Sequence, residues 1–74
     1  MKTTTPQQNK VRRRIMDRRN ALGLTQDDLA KAAGIDRKTV NRIENGHFSP
    51  NLDTLFRLCV ALDVRPSELV KDLS

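Results

Sequence analysis

Positions 37 to 42 contain side chains that could hydrogen-bond to the edges of nucleic-acid bases. On a helix with about 100° per residue they share one side, opposite Val40 and Ile43: Arg37, Lys38, Asn41 and Arg42. Arginine and lysine donate to O6 and N7 of guanine, whereas asparagine can pair with N6 and N7 of adenine. No acidic residue lies on this face. Taken alone, the pattern also fits the ordinary solvated face of an amphipathic helix.

The chain offers little for catalysis or metal binding. His47, the single histidine, and Ser49 lie in a short polar segment without an acidic residue to orient them. A zinc site would require more ligands than one histidine and one cysteine. Cys59 is spaced with Leu55 and Leu62 as on one helix face, so we predict a small core residue. We therefore expect no enzyme activity, no metal and no cofactor.

Apolar spacing and capping residues predict that helices carry these side chains. Val11, Ile15 and Leu22 indicate a first helix at 10–22, and Thr25 and Gly34 bound a second of about eight residues. Further helices are predicted after Asp36, over 52–62 after Asn51, and from Pro66. No segment alternates with period two, so the fold class is all-α with five helices. Residues 1–9 are predicted as a flexible arm, because Pro6 interrupts a helix, and residues 10–74 as one domain.

The second and third predicted helices are short and joined by Gly34-Ile35-Asp36. Two helices separated by a tight turn led by glycine form a helix-turn-helix, whose second helix can enter the major groove of DNA. The candidate base-reading face lies on that second helix. This coincidence favours nucleic-acid recognition over a merely solvated face.

Charge is distributed unevenly along the 74 residues. The chain has a formal net charge of +5, with 14 basic and 9 acidic residues. Residues 1–19 alone carry a net charge of +6, residues 20–50 are neutral and residues 51–74 sum to −1. A basic balance favours a polyanionic partner, and the asymmetry would orient the molecule toward it.

Composition limits the class of protein. Hydrophobic residues make up 36% of the chain and only two are aromatic, which predicts a small aliphatic core. One cysteine excludes an internal disulfide, and the longest apolar run, 59–62, is far shorter than the roughly 20 residues of a membrane span. We expect a single domain, or a piece of a longer chain, located in the cytoplasm.

The sequence resembles the Cro/repressor-type (XRE-like) helix-turn-helix DNA-binding domain over essentially Val11 to Leu69. The resemblance rests on twenty positions that agree in residue type and spacing: Gly23-Leu-Thr-Gln26, Leu29-Ala30, Ala33-Gly34, Ile43-Glu-Asn-Gly46, Pro50, Leu52, Thr54-Leu55, Leu58, Ala61-Leu62 and Val64. It implies a compact five-helix repressor-like domain that acts as a sequence-specific transcriptional regulator, bound to double-stranded DNA.

The resemblance also implies roles for individual residues. Base contacts are expected from Arg37, Lys38 and Arg42, with Thr39 and Asn41 in support. Phosphate contacts are expected from five positions, of which Gln26 could also brace the recognition helix: Thr25, Gln26, Asn45, His47 and Asn51. Arg19 and Glu44 match a pair that forms an internal salt bridge between the first and third helices. Their role is therefore expected to be structural first.

Two positions depart from the family pattern, and three arginines lie outside it. Arg18 stands where an apolar residue is common, and Arg65 where a Ser-like cap is common, which puts the packing of the last helix in question. Residues 12–14 are all arginine. Their charge suggests additional phosphate contacts, but a solvated face fits them equally well.

We expect two copies of this chain to bind one pseudo-palindromic operator. A single module of this size buries only about 600–1,000 Å² on DNA, so two half-sites are usually needed. The fifth helix and the end of the fourth are the expected contact between copies. The alternative reading is an antitoxin-like or adaptor module whose helix-turn-helix binds a protein partner, which an exposed apolar patch would favour.

Overall fold

Helix α1 (Pro6–Ala21) begins earlier than the sequence suggested. The computed structural model describes residues 5–73, and within them Thr5 caps the helix: its hydroxyl accepts from the Gln8 amide while the Gln8 side chain accepts from the Thr5 amide. Pro6 occupies the first helical position, where its missing N–H costs nothing. The prediction of an arm over 1–9 was therefore wrong for residues 6–9, and residues 1–4 lie outside the described range.

Helices α2 (Gln26–Ala33) and α3 (Arg37–Glu44) form the predicted helix-turn-helix. Thr25 caps α2 in a reciprocal box with Asp28, and Gly34 ends the helix with φ at 71°, a left-handed conformation that glycine adopts readily. Asp36 is the N-cap residue of α3, although its side chain makes no capping hydrogen bond. Both short helices are thus bounded by local sequence signals.

Helices α4 (Leu52–Leu62) and α5 (Pro66–Val70) complete the fold. The Asn51 side chain accepts from the Thr54 amide at the start of α4. At the start of α5, the Glu68 side chain accepts from the Arg65 amide, whereas Arg65 makes no side-chain capping hydrogen bond of the kind that a serine there would make. The described residues form five α-helices and no β-strand, which confirms the predicted all-α class.

The core lies between the helix-turn-helix and the remaining helices. α2 packs against α3 and α4, while α1 contacts α3, α4 and α5. The largest fully buried side chains are aliphatic: Ile15, Leu29, Val40, Ile43, Leu58 and Leu62. Cys59 is buried among them, and its burial raises the pKa of the thiol above its usual value.

Three arginines of α1 donate hydrogen bonds to carbonyls at the ends of α3, α4 and α5. Arg12 donates to the Glu44 carbonyl at the end of α3 over 2.9 Å, and Arg14 to the Leu69 carbonyl of α5 over 3.0 Å. Arg18 donates to the Leu62 carbonyl at the end of α4 over 2.9 Å. The last carbonyls of a helix lack partners within it and carry partial negative charge, so a guanidinium stabilises them. Arg18 therefore has a defined partner where the family pattern has an apolar residue.

Candidate nucleic-acid interface

The exposed side of α3 is basic and carries no acidic partner. Arg37, Lys38, Asn41 and Arg42 are exposed, whereas Val40 and Ile43 of the same helix are buried in the core. Within residues 5–73, no acidic side chain forms a salt bridge with Arg37, Lys38 or Arg42. Their donors are therefore available to an anionic or base-edge ligand. Thr39 is half-buried and faces the groove beside α4, in keeping with a supporting role.

Arg42 is oriented by an aromatic residue that the sequence analysis did not single out. Its guanidinium carbon lies 5.8 Å from the centroid of the Phe48 ring, within range of a cation–π contact. Phe48 is 40% exposed in the loop after α3. An aromatic residue in an otherwise polar loop, six positions after an arginine, is the signal that could have identified it.

An ion pair lies on the inner side of α3 and joins it to α1. Arg19 Nε is 2.7 Å from Glu44 Oε2, and Arg19 Nη2 donates to Oε1 over 3.0 Å. Glu44 is only 3% exposed. The hydrogen bonds to Glu44 raise the pKa of the Arg19 guanidinium, which remains charged. The pair expected from the resemblance is thus present as a bidentate, buried contact that fixes α3 on α1.

Surface amides extend from this ion pair to the end of α3. The Gln26 side chain donates to Glu44 Oε1 over 3.1 Å and accepts from Asn41 Nδ2 over 3.2 Å. Asn41 Oδ1 in turn accepts from Asn45 Nδ2 over 3.1 Å. Gln26 therefore braces α3, one of the two roles expected of it. The i, i+4 spacing of Asn41 and Asn45 is visible in the sequence, but the bond was not predicted.

The other residues predicted to contact phosphate, Thr25, His47 and Asn51, are all exposed. Thr25 is exposed at the start of α2, with its hydroxyl oxygen accepting from the Asp28 amide. The His47 side chain is exposed, and the His47 backbone N–H donates to the Arg42 carbonyl. Asn51 is exposed, and its side-chain oxygen caps α4. Each of these side chains keeps at least one donor that could reach a phosphate oxygen.

The described residues offer no other prominent binding chemistry. No group of three or more histidine, cysteine or acidic side chains is arranged to hold a metal ion in the range 5–73. No helix of that range is both long and apolar enough to cross a bilayer. The acid-free side of α3 is thus the strongest candidate site.

Comparison with known proteins agrees with this geometry. Residues 15–69 match the family model described as helix-turn-helix. A relative from Methanothermobacter thermautotrophicus, described as an uncharacterized HTH-type transcriptional regulator, is 40% identical over 52 residues, which are 70% of this chain and 75% of the relative.

Two solved structures are similar in both fold and sequence. The restriction-modification controller protein C.AhdI from Aeromonas hydrophila superposes with a TM-score of 0.80 at 37% identity, covering 84% of this chain and 94% of that one. The P22 c2 repressor, crystallised with synthetic operator 9T, gives a TM-score of 0.76 at 31% identity, covering 82% of this chain and 92% of that one.

Proposed function

Because the chain belongs to the helix-turn-helix family of DNA-binding transcriptional regulators, we propose that it represses transcription by binding a specific operator. The observation that carries this proposal is the exposed, acid-free face of α3, whose basic side chains form no ion pair within residues 5–73. Repression follows if α3 lies in the major groove over a promoter and excludes polymerase. The family and fold are those of DNA-binding regulators rather than enzymes, and binding to cellular DNA would place the protein in the cytoplasm.

Direct base contacts are assigned to α3. Arg37, Lys38 and Arg42 supply the donors that match O6 and N7 of guanine, and Asn41 supplies a donor and an acceptor that match adenine. Phe48 restricts Arg42 to fewer orientations, which lowers the entropy lost when it binds a base. Thr39 contributes from the edge of the same face.

Phosphate contacts are assigned to residues that flank α3. Thr25 and Gln26 stand at the N-terminus of α2, an end of a helix that favours a phosphate oxygen, although the Thr25 and Asp28 N–H groups are already paired in the capping box. Asn45, His47 and Asn51 are exposed and lie beyond the end of α3 in the sequence. Such contacts would fix the register of α3 in the groove without reading sequence.

A homodimer is the proposed binding form, and an apolar stripe on α4 supports it. Leu52, Phe56 and Val60 are 69%, 49% and 82% exposed and lie four residues apart on one face. A two-fold interface uses the same patch on both copies, and this stripe offers one continuous apolar patch for that purpose. Arg57 and Asp53 beside it pair internally, so no net charge opposes association. The proposed interface thus covers the outer face of α4 rather than only its end.

The dimer is tested by sedimentation of the protein alone and on DNA. Phe56→Glu should shift the mass on DNA from two copies to one and weaken binding to a two-half-site duplex. Leu22→Glu is the matched control, because Leu22 is an exposed apolar residue away from the stripe. Monomeric wild-type protein on operator DNA would refute the dimer.

An antitoxin-like or adaptor function remains the alternative, and the same stripe favours it. An exposed apolar surface of this kind is also suited to a different protein. Selection from randomised duplex DNA at about 150 mM salt separates the two functions, because weak non-specific binding is suppressed there. Enrichment of a palindrome supports the repressor with half-sites about 34–36 Å apart. If no sequence is enriched, the repressor function is refuted and binding to a protein partner is favoured.

A further inference from the structure

The surface amides of α3 are connected to a buried carboxylate by a directional series of hydrogen bonds. Asn45 donates to Asn41, Asn41 donates to Gln26, and Gln26 donates to Glu44. All three distances are between 3.1 and 3.2 Å. Arg19 also donates to Glu44, to Oε2 from Nε and to Oε1 from Nη2. We refer to Asn45, Asn41, Gln26 and Glu44 as the amide relay.

The direction of the amide relay is set at its buried end. An ionised carboxylate can only accept hydrogen bonds, so the Gln26 NH₂ group must face Glu44 and the Gln26 oxygen must face outward. An outward-facing oxygen then requires Asn41 to present its NH₂ group to Gln26. The Asn41 oxygen is consequently directed to Asn45, which donates to it.

This order matters because an asparagine amide has two ends of similar shape and opposite hydrogen-bonding character. An unrestrained amide can rotate by about 180° and exchange its donor and acceptor positions. In the relay, Asn41 retains one N–H and one oxygen lone pair, in a fixed order along the surface of α3. Adenine presents one acceptor and one donor, N7 and N6, in the major groove. Only one orientation of the Asn41 amide matches a given adenine edge.

We propose that Glu44, which is buried, is a positioning residue for base recognition: it acts through Gln26 to hold Asn41 in the orientation that reads adenine. Asn45 holds the same orientation from the outer end. The inference rests on the proposed function and extends it, because it assigns sequence preference to residues that need not touch a base. Arg19 contributes by holding the Glu44 carboxylate in place through two hydrogen bonds.

Glu44→Gln tests the direction of the relay. A glutamine has one oxygen, which can still accept from Arg19, and an NH₂ group that can donate to Gln26. Gln26 and Asn41 would then be free to rotate, and the relay could run in reverse. Asn45→Ala provides a second test at an exposed position outside the core, where the fold should persist. Asn20→Ala, which removes an exposed amide from α1, is the matched control.

The readout is base preference at one pair, measured with the operator obtained by selection. Asn41→Ala first identifies the base pair that Asn41 faces, and affinities are then compared for duplexes carrying each of the four pairs there. A good bidentate contact discriminates by about 5- to 150-fold. Glu44→Gln and Asn45→Ala should each reduce that discrimination by about fivefold or more, while preference at the pairs facing Arg37 and Arg42 stays unchanged. Asn20→Ala should alter neither.

Side-chain amide NMR spectra of the DNA-free protein provide a readout that a purely structural role would not produce. In Glu44→Gln, the NH₂ signals of Gln26 and Asn41 should shift while backbone amides in the core keep their positions. If Glu44→Gln fails to fold, Asn45→Ala decides the question alone. Retained adenine preference in the folded variants, or an equal weakening for all four pairs, would overturn the relay. A wild-type protein that enriches no sequence would overturn the proposed function itself.

Discussion

The arginines of α1 and the basic residues of α3 have opposite surroundings. α1 lies in the most basic part of the sequence, yet four of its arginines donate to groups inside the protein: Arg12, Arg14, Arg18 and Arg19. α3 lies in the segment whose charges cancel, yet Arg37, Lys38 and Arg42 have no acidic partner among the described residues. The local charge sum and the availability of donors therefore point to different helices as the main binding surface.

The difference leads us to expect the nucleic-acid interface where donors are unoccupied rather than where the segment charge is highest. A guanidinium that binds helix carbonyls already uses some of its five donors and is held in place. An arginine with open donors on a docked helix can form bidentate contacts with a base. We therefore expect substitutions in α1 to alter stability and substitutions in α3 to alter binding.

The largest expected effect is on stability, from Arg19→Ala. Removing Arg19 leaves the Glu44 carboxylate buried without its cation, which typically costs about 3–5 kcal/mol for a fully buried pair. The Arg19 side chain retains 12% exposure, so we expect the lower end, about 3 kcal/mol. Urea unfolding followed by circular dichroism measures the loss. Unfolding at the wild-type midpoint would contradict a structural role for the pair.

Arg37→Ala should weaken binding instead. Loss of a bidentate contact to a base costs about 1–3 kcal/mol on the preferred site and relaxes the preference at one base pair. Arg37 is exposed and forms no salt bridge with any described residue, so the free energy of unfolding should stay within about 0.5 kcal/mol of the wild-type value. Fluorescence anisotropy with the preferred duplex and with a scrambled one separates a loss of base-specific binding from a general loss of affinity for DNA. An equal loss on both duplexes would assign Arg37 to phosphate rather than to a base.

Arg14→Ala should destabilise the fold without changing the salt dependence of DNA binding. Its guanidinium donates to the Leu69 and Lys71 carbonyls at the end of α5, in a partly exposed location. Hydrogen bonds from charged groups contribute about 1.5–3 kcal/mol when buried, and exposure reduces this to about 1 kcal/mol. Thermal unfolding measures the change, and salt titration of the affinity measures the number of phosphates contacted.

Arg13→Ala is the matched control for that experiment. Arg13 is exposed between Arg12 and Arg14, and its replacement should leave the melting temperature nearly unchanged. A fall of about one unit in the salt slope for Arg14→Ala would show that this arginine contacts phosphate, as its position in the basic cluster first suggested.

The smallest expected effect depends on pH and concerns the start of α2. Hydrogen bonds from the Thr25 backbone and side chain lower the pKa of Asp28 below its usual value of 3.8. The folded state thus favours the ionised carboxylate, which stabilises the protein above that pH and ceases to do so as the pH falls through the lowered pKa. Asp28→Asn should therefore lower the melting temperature at neutral pH, with the difference disappearing in strong acid. A constant difference at all pH values would contradict this assignment.

Local signals in the sequence were sufficient for most of the helical boundaries. The Thr25 cap, Gly34 and Asn51 each act within a few residues, so the starts of α2 and α4 and the end of α2 were predicted correctly. Pro6 was misread because proline both interrupts a helix and favours its first turn. The capping box formed by Thr5 and Gln8 was the local evidence that would have decided between them.

The partners of the α1 arginines could not be predicted in the same way. Arg14 and Leu69 are separated by 55 positions, and the acceptor is a backbone carbonyl that every residue possesses. No residue type at the acceptor position therefore indicates the contact. The Arg19–Glu44 pair could be predicted from the sequence, because both members are charged and match a family pattern. The direction of the amide relay likewise requires the distances among Gln26, Asn41 and Glu44.

Backbone amide NMR during titration with duplex DNA tests the central contrast between α1 and α3 most directly. A ¹⁵N-labelled sample would be titrated with the selected operator duplex and, separately, with a scrambled one. Our account predicts that the largest shift changes fall in α3, the start of α2 and the loop 46–51, with small changes along α1. Shift changes centred on α1, with α3 unaffected, would contradict it.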